Sequence, residues 1–347
     1  MANNLNNERA SLVGMTKEEL RQLCQNFSEP EYRGDQIFHW IYVQRVREIK
    51  EMDNLPNKFR NNLEEQFRIP ALETTEVKSL QNGDTSKFLF QLFTREKIES
   101  VLMKEGQRTT VCLSTQVGCA LGCTFCATAK MGFQKNLSVG EIVDQYLTLQ
   151  NFSERRISNA VFMGMGEPFM NYKSVMSASK LLNHRDGIQL SARKITISTV
   201  GIIPKIIQFA NEGFKFKLAI SLNGTTQKNR TAIMPIAQKY SLNELIDAAK
   251  YYYKKSNSFV TFEYVLMENE TDSKEDAERL IDLLQGLPCK VNFIPYNSFD
   301  DSYSRPDENR MNLFLNALRK APFIVTVRWS KGTNINAGCG QLAVMED

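Results

Sequence analysis

Three cysteines stand at spacings of four and three residues, Cys119, Cys123 and Cys126, in the segment Cys-Ala-Leu-Gly-Cys-Thr-Phe-Cys. Thiolates at this spacing can converge on one inorganic cluster. A four-iron cluster ordinarily takes four cysteines. Three leave one iron with an open position for a substrate or cofactor. A structural zinc site instead needs four closed nitrogen or sulfur ligands. Cys112 could supply a fourth thiol, but the two histidines, His39 and His184, lie far from the cluster in sequence. Gly118 and Gly122 mark the segment as a loop rather than a core strand.

A second set of residues lies further along. Met163-Gly-Met-Gly-Glu167-Pro168 follows a short apolar run. Gly166 lets the backbone approach a ligand, and Glu167 adds an acceptor for an amine or ribose hydroxyl. Alone, such a turn is as often an ordinary strand-to-helix loop. Ser198, the Ser221-Leu222-Asn223 step and Asn297 each close a candidate strand; singly, such residues are helix caps or turns. Cys339 lies between Gly338 and Gly340, which suit a mobile loop; alone it reads as a free thiol in a C-terminal tail. Cys24 and Cys289 read as core residues, because buried cysteine behaves as a small hydrophobe.

The elements that must position these groups repeat in order from about residue 108. Strands are expected over 110–116, 159–163, 194–199, 217–222, 259–267, 290–295 and 323–328. Helices are expected between them, over 138–150, 172–183, 202–212, 241–253, 273–285 and 307–320. Ser138 with Glu141, and Ser241 with Glu244, form capping boxes. Six strand–helix units in series predict an α/β fold with a parallel sheet, too few for a closed eight-unit barrel. The polar groups above all fall at strand carboxyl ends, the active face of parallel α/β folds. Residues 1–95 differ in texture, with helices expected from Thr16, over 35–46 and over 59–67. A hairpin is expected at Asn82-Gly83, with a strand over 87–93. The chain therefore divides into an N-terminal helical accessory domain, 1–95, and a core, 96–347.

With 347 residues the chain can bury a sizeable core without staples. Seven cysteines, an odd number, do not suggest a disulfide scaffold. No run approaches the length of a membrane helix, and the polar start is no secretory signal, so a soluble cytoplasmic protein is expected. The net charge of +4 permits a nucleic-acid partner without demanding one.

The CxxxCxxC motif with Phe125 before its last cysteine, followed by Gly-Met-Gly-Glu-Pro, resembles the radical S-adenosylmethionine (SAM) enzymes. Within them the chain is similar to the RNA methyltransferases of the RlmN and Cfr type. The carrying segments are VCLSTQVGCALGCTFCATAKMGFQKNLSVGEI, FMGMGEPFMNY, ITISTVGIIP, AISLNG, NAGCGQLA and the N-terminal EYRGDQIFHWIY. Together they extend the resemblance over nearly the whole chain. Pro168 and Val117-Gly118 look more like the RlmN branch, which acts on adenine carbon 2. The Cfr branch modifies carbon 8 and usually shows alanine after the glutamate.

The resemblance implies a partial (βα)6 barrel in which Cys119, Cys123 and Cys126 ligate a [4Fe–4S] cluster. SAM would chelate the open iron and yield a deoxyadenosyl radical. Gly166, Glu167, Ser198, Ser221, Leu222, Asn223 and Asn297 would line its pocket. An adenine carbon has no lone pair to take a methyl cation by displacement, whereas a thiolate does. Cys339 is accordingly the implied methyl carrier, charged by one SAM and activated by the radical from a second. Cys112 would release the product through a transient disulfide, and Glu99 would take the proton from the adenine carbon. The implied partners are 23S rRNA at the peptidyl-transferase region, tRNA at the adenosine 3′ of the anticodon, and an external one-electron donor, with the enzyme a monomer. The target base must be splayed out of folded RNA, and Arg33, Arg45 and Arg47 of the N-terminal domain could grip that RNA. Two other readings compete: a radical SAM enzyme acting on a small molecule or peptide, and a zinc-stabilised RNA-binding protein. The Cys339–Cys112 pair favours the methyltransferase, since a generic radical enzyme needs neither thiol.

Overall fold

A computed structural model describes residues 9–344. Fourteen strands occur in chain order among these residues. They are β1 (Ala10–Ser11), β2 (Phe67–Arg68), β3 (Leu72–Ser79), β4 (Thr85–Leu92), β5 (Lys97–Glu105), β6 (Arg108–Cys112), β7 (Gln116–Gly118), β8 (Phe133–Asn136), β9 (Asn159–Phe162), β10 (Ile195–Thr199), β11 (Lys217–Ser221), β12 (Val260–Leu266), β13 (Cys289–Pro295) and β14 (Ile324–Val327).

Ten of them form one sheet in the order β14-β13-β12-β11-β10-β9-β6-β5-β4-β3. From β6 to β14 all neighbours are parallel, and each of the six crossovers carries a helix, as the sequence pattern predicts. The edge strands β14 and β3 do not pair, so the sheet stays open as a partial barrel. The first strand is shorter than expected over 110–116: β6 stops at Cys112, and β7 pairs instead with β8 in a separate hairpin that carries the cysteine loop. The turn at Asn82-Gly83 joins β3 to β4 as expected. Both strands continue the large sheet through β5, so the expected boundary at residue 95 falls between two paired strands.

The parallel strands alternate. In β10, Ile195, Ile197 and Thr199 are buried while Thr196 and Ser198 are half-buried; in β13, Lys290 and Asn292 break a buried run in the same way. The buried set, including Ile197, Phe262 and Phe293, packs into the main core, and each such side chain contributes about 1.5–3 kcal/mol by burial. The alternate set faces an internal cavity. The barrel therefore has a dry outer face and a polar interior.

Thr16 and Glu19 form the capping box that starts the helix Lys17–Asn26. The helix Tyr32–His39 runs on as a π-helical turn, Trp40–Gln44, to Arg45 in the left-handed region. The N-terminal segment is fastened to the core through Asp144. This carboxylate, buried on the helix Val139–Phe152, accepts from the backbone N–H groups of Ala71 (2.8 Å) and Leu72 (3.2 Å) and pairs with Arg47. Arg45 is spent on Asn151 (3.0 Å) and the Val43 carbonyl (2.8 Å), and Arg33 on Glu29, Gln36 and the Asn54 carbonyl. All three arginines offered by the sequence for RNA are thus engaged inside the protein. Among the described residues no helix is long and apolar enough to cross a membrane.

Candidate active site

One cavity of about 650 Å³ runs through the barrel from the amino to the carboxyl ends of its strands. At the carboxyl end it is lined by Cys119, Cys123 and Cys126. The loop bearing them is fixed by its hairpin. Cys119 donates its N–H to the Gly132 carbonyl (3.0 Å), and Cys126 donates to that of Cys123 (3.2 Å). Gly118, at φ +67°, has no room for a side chain: a Cβ there would lie 1.6 Å from the Gly132 oxygen. Burial pushes the Cys119 thiol up to about 11, and Cys126 and Glu167 add to the effect. Cys123 is pushed further up by burial and then by Cys126 and Cys119. The three thiols thus share one electrostatic neighbourhood.

Glu167 lines the same end and is buried. Its Oε1 accepts from the Phe169 N–H (3.0 Å) and its Oε2 from the Val200 N–H (2.9 Å). Burial nonetheless lifts its carboxyl to about 7. The carboxylate ties two strand-end loops together as well as facing the cavity. Gly166, at φ +91°, allows Gln116 to pack against it; a Cβ would lie 2.4 Å from the Gln116 Cβ. Ser198 and Ser221 line the cavity, and among the described residues their hydroxyls have no hydrogen-bond partner. Asn223, in the left-handed region at φ +50°, accepts from the Val265 N–H (2.9 Å) and lines the wall. Leu222 is fully buried and does not line it; its backbone is paired to the Glu263 carbonyl (2.9 Å).

Cys339 and Cys112 meet in this cavity. The Cys339 side chain is solvent-accessible, yet it stands deep enough among protein atoms that burial pushes its thiol up to about 11, while Arg328 pulls it down. Cys112 is buried and pushed up to about 12, first by desolvation and then by Cys339. The segment around Cys339 is tied by several hydrogen bonds. Asn297 donates to the Cys339 carbonyl (3.0 Å), Ala127 N–H to the Gly340 carbonyl (2.8 Å), and Gln341 to the Ser298 carbonyl (2.9 Å). A Cβ at Gly338 would lie 2.6 Å from the Gln341 Oε1, so that side chain would have to shift.

Glu99 lies on β5, buried, and does not line the cavity. It pairs with Lys87 at 2.8 Å and accepts from the Ala343 N–H at 3.1 Å. Burial raises its carboxyl above the ordinary value and Lys87 opposes that shift. As it stands, Glu99 holds the tail.

Sequence reasoning missed Arg230. It is 1% exposed and donates to the carbonyls of Leu222 (3.0 Å) and Val200 (2.6 Å), bracing the loops after β10 and β11. A lone arginine between polar neighbours gave no signal of this.

The residues 113–284 match the Radical SAM superfamily, and residues 10–69 match the ribosomal RNA large subunit methyltransferase N-terminal domain. A protein of Geobacillus thermodenitrificans named probable dual-specificity RNA methyltransferase RlmN is 43% identical over 97% of this chain and 93% of its own length. The chain belongs to the RlmN family. A Bacillus mycoides RlmN relative of the same description is 40% identical over 99% of this chain and 96% of its own. The crystal structure of a radical SAM methyltransferase from Sphaerobacter thermophilus superposes with a TM-score of 0.94 at 40% identity, covering 96% of this chain and 99% of that one.

As an RlmN-family member the protein is a methyltransferase, and enzymes of this kind use a [4Fe–4S] cluster and SAM. The site fits both. The donor set is sulfur only, which suits iron–sulfur ligation. Beside the thiols, the free hydroxyls of Ser198 and Ser221 and the wall of Gly166, Glu167, Asn223 and Asn297 offer polar partners to a cofactor.

Proposed function

We propose that the protein methylates carbon 2 of adenine in RNA, in the peptidyl-transferase region of 23S rRNA and at the tRNA adenosine 3′ of the anticodon, with Cys339 as the methyl carrier. The observation that carries this reading is that Cys339 and Cys112 share one cavity with the three clustered thiols.

Cys119, Cys123 and Cys126 would hold the cluster, which together with SAM supplies the methyl group and a one-electron cleavage driven by an external donor. Cys339, reachable through the cavity, takes the methyl group on sulfur. Its carbonyl is held by Asn297, and Arg328, Glu263 and Cys126 lie within the electrostatic reach of its sulfur. After transfer to the base, Cys112 attacks the Cys339 sulfur. An S–S bond forms as the S–C bond breaks; the bonding pair stays on the transferred carbon, which takes up a proton, matching the one lost from adenine carbon 2, to become the methyl group, and an external thiol reductant must then reopen the disulfide. Arg328 lies in the electrostatic neighbourhood of both sulfurs and favours their thiolates. In this pose Glu99 positions the tail; proton removal by it would require that it exchange Ala343 for the substrate.

The other end of the cavity supports an RNA partner. Arg108, Lys217, Lys290 and Lys331 line it, and among the described residues none of them forms an ion pair. Lys217 is held below its ordinary value by desolvation and then by Lys194, Arg108 and Lys290. Phosphates would relieve that repulsion.

Mass spectrometry of RNA treated with the wild type and with Cys339→Ala tests the function. We expect 2-methyladenosine from the first and none from the second. Cys112→Ala should accumulate as a covalent protein–RNA adduct. Product bearing the methyl at carbon 8, or methylation by Cys339→Ala, contradicts the reading.

A further inference from the structure

Glu263, on β12, lines the cavity where Cys339 stands. Its Oε1 accepts from the Asn292 Nδ2 (2.9 Å), and the Asn292 oxygen is tied in turn by the Thr326 hydroxyl. This chain of bonds locks the carboxylate. Its Oε2 is buried and has no partner. A buried acceptor left without a donor costs about 1–3 kcal/mol.

Arg328 lines the same cavity, within the electrostatic reach of Glu263, Cys339 and Cys112. Its only side-chain contact of hydrogen-bonding kind among the described residues is the Met163 sulfur, at 3.8 Å. The guanidinium and the carboxylate attract each other, yet they do not close into an ion pair. An acceptor and a donor held apart in this way complement a planar edge that carries a donor and an acceptor side by side.

Adenine offers such an edge, with the N6 amine as donor and N1 as acceptor. We propose that Glu263 and Arg328 read the Watson–Crick edge of the target adenine, the carboxylate Oε2 accepting from N6 and the guanidinium donating to N1. Carbon 2 is bonded to N1, so this pose sets the reacting carbon beside Cys339. Reading through N6 and N7 would present carbon 8 instead. Guanine would turn an oxygen toward Glu263 and an N–H toward Arg328, two repulsions. Cytosine shares the amine–nitrogen pattern, but the carbon beyond that nitrogen already carries an oxygen. The edge is free only in an unpaired base, as extrusion from folded RNA requires.

The inference deepens the proposed function and rests on it. The test uses cluster-loaded enzyme and a short RNA hairpin whose single target is adenosine, purine riboside (which lacks the amine) or 7-deazaadenosine. Relative kcat/KM is read by competition, and affinity by fluorescence anisotropy. Wild type should prefer adenosine over purine riboside by about 100-fold or more in kcat/KM, as sites built to pair a polar group do. It should accept 7-deazaadenosine within a few-fold. In Glu263→Ala the adenosine-to-purine ratio should fall toward one in both kcat/KM and affinity, whereas Glu263→Gln, which keeps an acceptor oxygen, should retain part of it. A purely structural role would lower all three substrates together. An unchanged ratio in Glu263→Ala, or rejection of 7-deazaadenosine by the wild type, overturns the inference. If Glu263→Ala does not fold, the wild-type purine and 7-deaza ratios decide. If the adenosine hairpin itself goes unmethylated, the RNA-methylation reading falls first and this one with it.

Discussion

Asn297 donates from one nitrogen both to the Cys339 carbonyl, at 3.0 Å, and to the Ser330 hydroxyl, at 2.7 Å, while its oxygen accepts from Arg305 at 3.1 Å. A residue expected to touch the cofactor is therefore also a clamp on Cys339, the proposed methyl carrier. Asn297→Ala removes all three bonds and leaves Arg305 only its bond to the Tyr296 carbonyl (2.8 Å). We expect about 1–3 kcal/mol of lost stability and at least a tenfold fall in the fraction of S-methylated Cys339, read by peptide mass spectrometry. Wild-type methylation in that variant would show that the clamp is dispensable.

The cysteine loop depends on a backbone contact that only glycine permits. Gly118→Ala sets a methyl group 1.6 Å from the Gly132 oxygen at a φ of +67°, so the β7–β8 hairpin must open. Iron and acid-labile sulfide per chain should drop below half of the wild-type content. Full iron loading would mean that the hairpin does not set the thiol spacing.

Arg230 braces the loops after β10 and β11 through carbonyls rather than a carboxylate, and burial lowers its pKa to about 10. Arg230→Met leaves those carbonyls without donors. A loss of about 1–3 kcal/mol is expected from the carbonyls left unpaired, visible as a lower Tm. SAM affinity should weaken as the Val200 and Ser221–Asn223 loops relax. A Tm within error of wild type would refute the bracing role.

The Cys112 thiol is raised from 9.0 to about 12 by burial and by Cys339. Raising the value means that the proton is held to higher pH, so thiolate is scarce at neutrality. Alkylation by iodoacetamide at pH 8 should run about a thousandfold slower than for a thiol at the ordinary value, and rise about tenfold per pH unit from 7 to 9, since the thiolate is the reacting form. A plateau below pH 9, followed by peptide mapping, would contradict the shift.

Much of the architecture was readable because its signals are local. Ser138 and Ser241 start their helices as their capping boxes require, and the helices between 138 and 320 fall where periodicity puts them. The strand expected over 110–116 ends at Cys112, because the chain from Gln116 pairs with β8 in a separate hairpin, a partner the local sequence does not mark. The cysteine trio and Cys339 were visible by type and spacing, and the cavity gathers them. What spacing could not show is which groups are spoken for. Glu99, Arg45 and Arg47 look like free charges in the sequence, but each has a partner 97 or more residues away along the chain. Glu263 gave the opposite case, a charge inside an apolar strand whose unmatched oxygen is evident only in three dimensions. The alternation Ile-Thr-Ile-Ser-Thr in β10 was the overlooked hint that the barrel interior is polar.

The Asp144 carboxylate gathers Arg47 and the amides of Ala71 and Leu72 onto one core helix. Heat should then dismantle the accessory segment and the barrel in concert, and a calorimetric scan should trace a single endotherm. Asp144→Asn would split that peak in two, with the earlier one belonging to the amino-terminal helices.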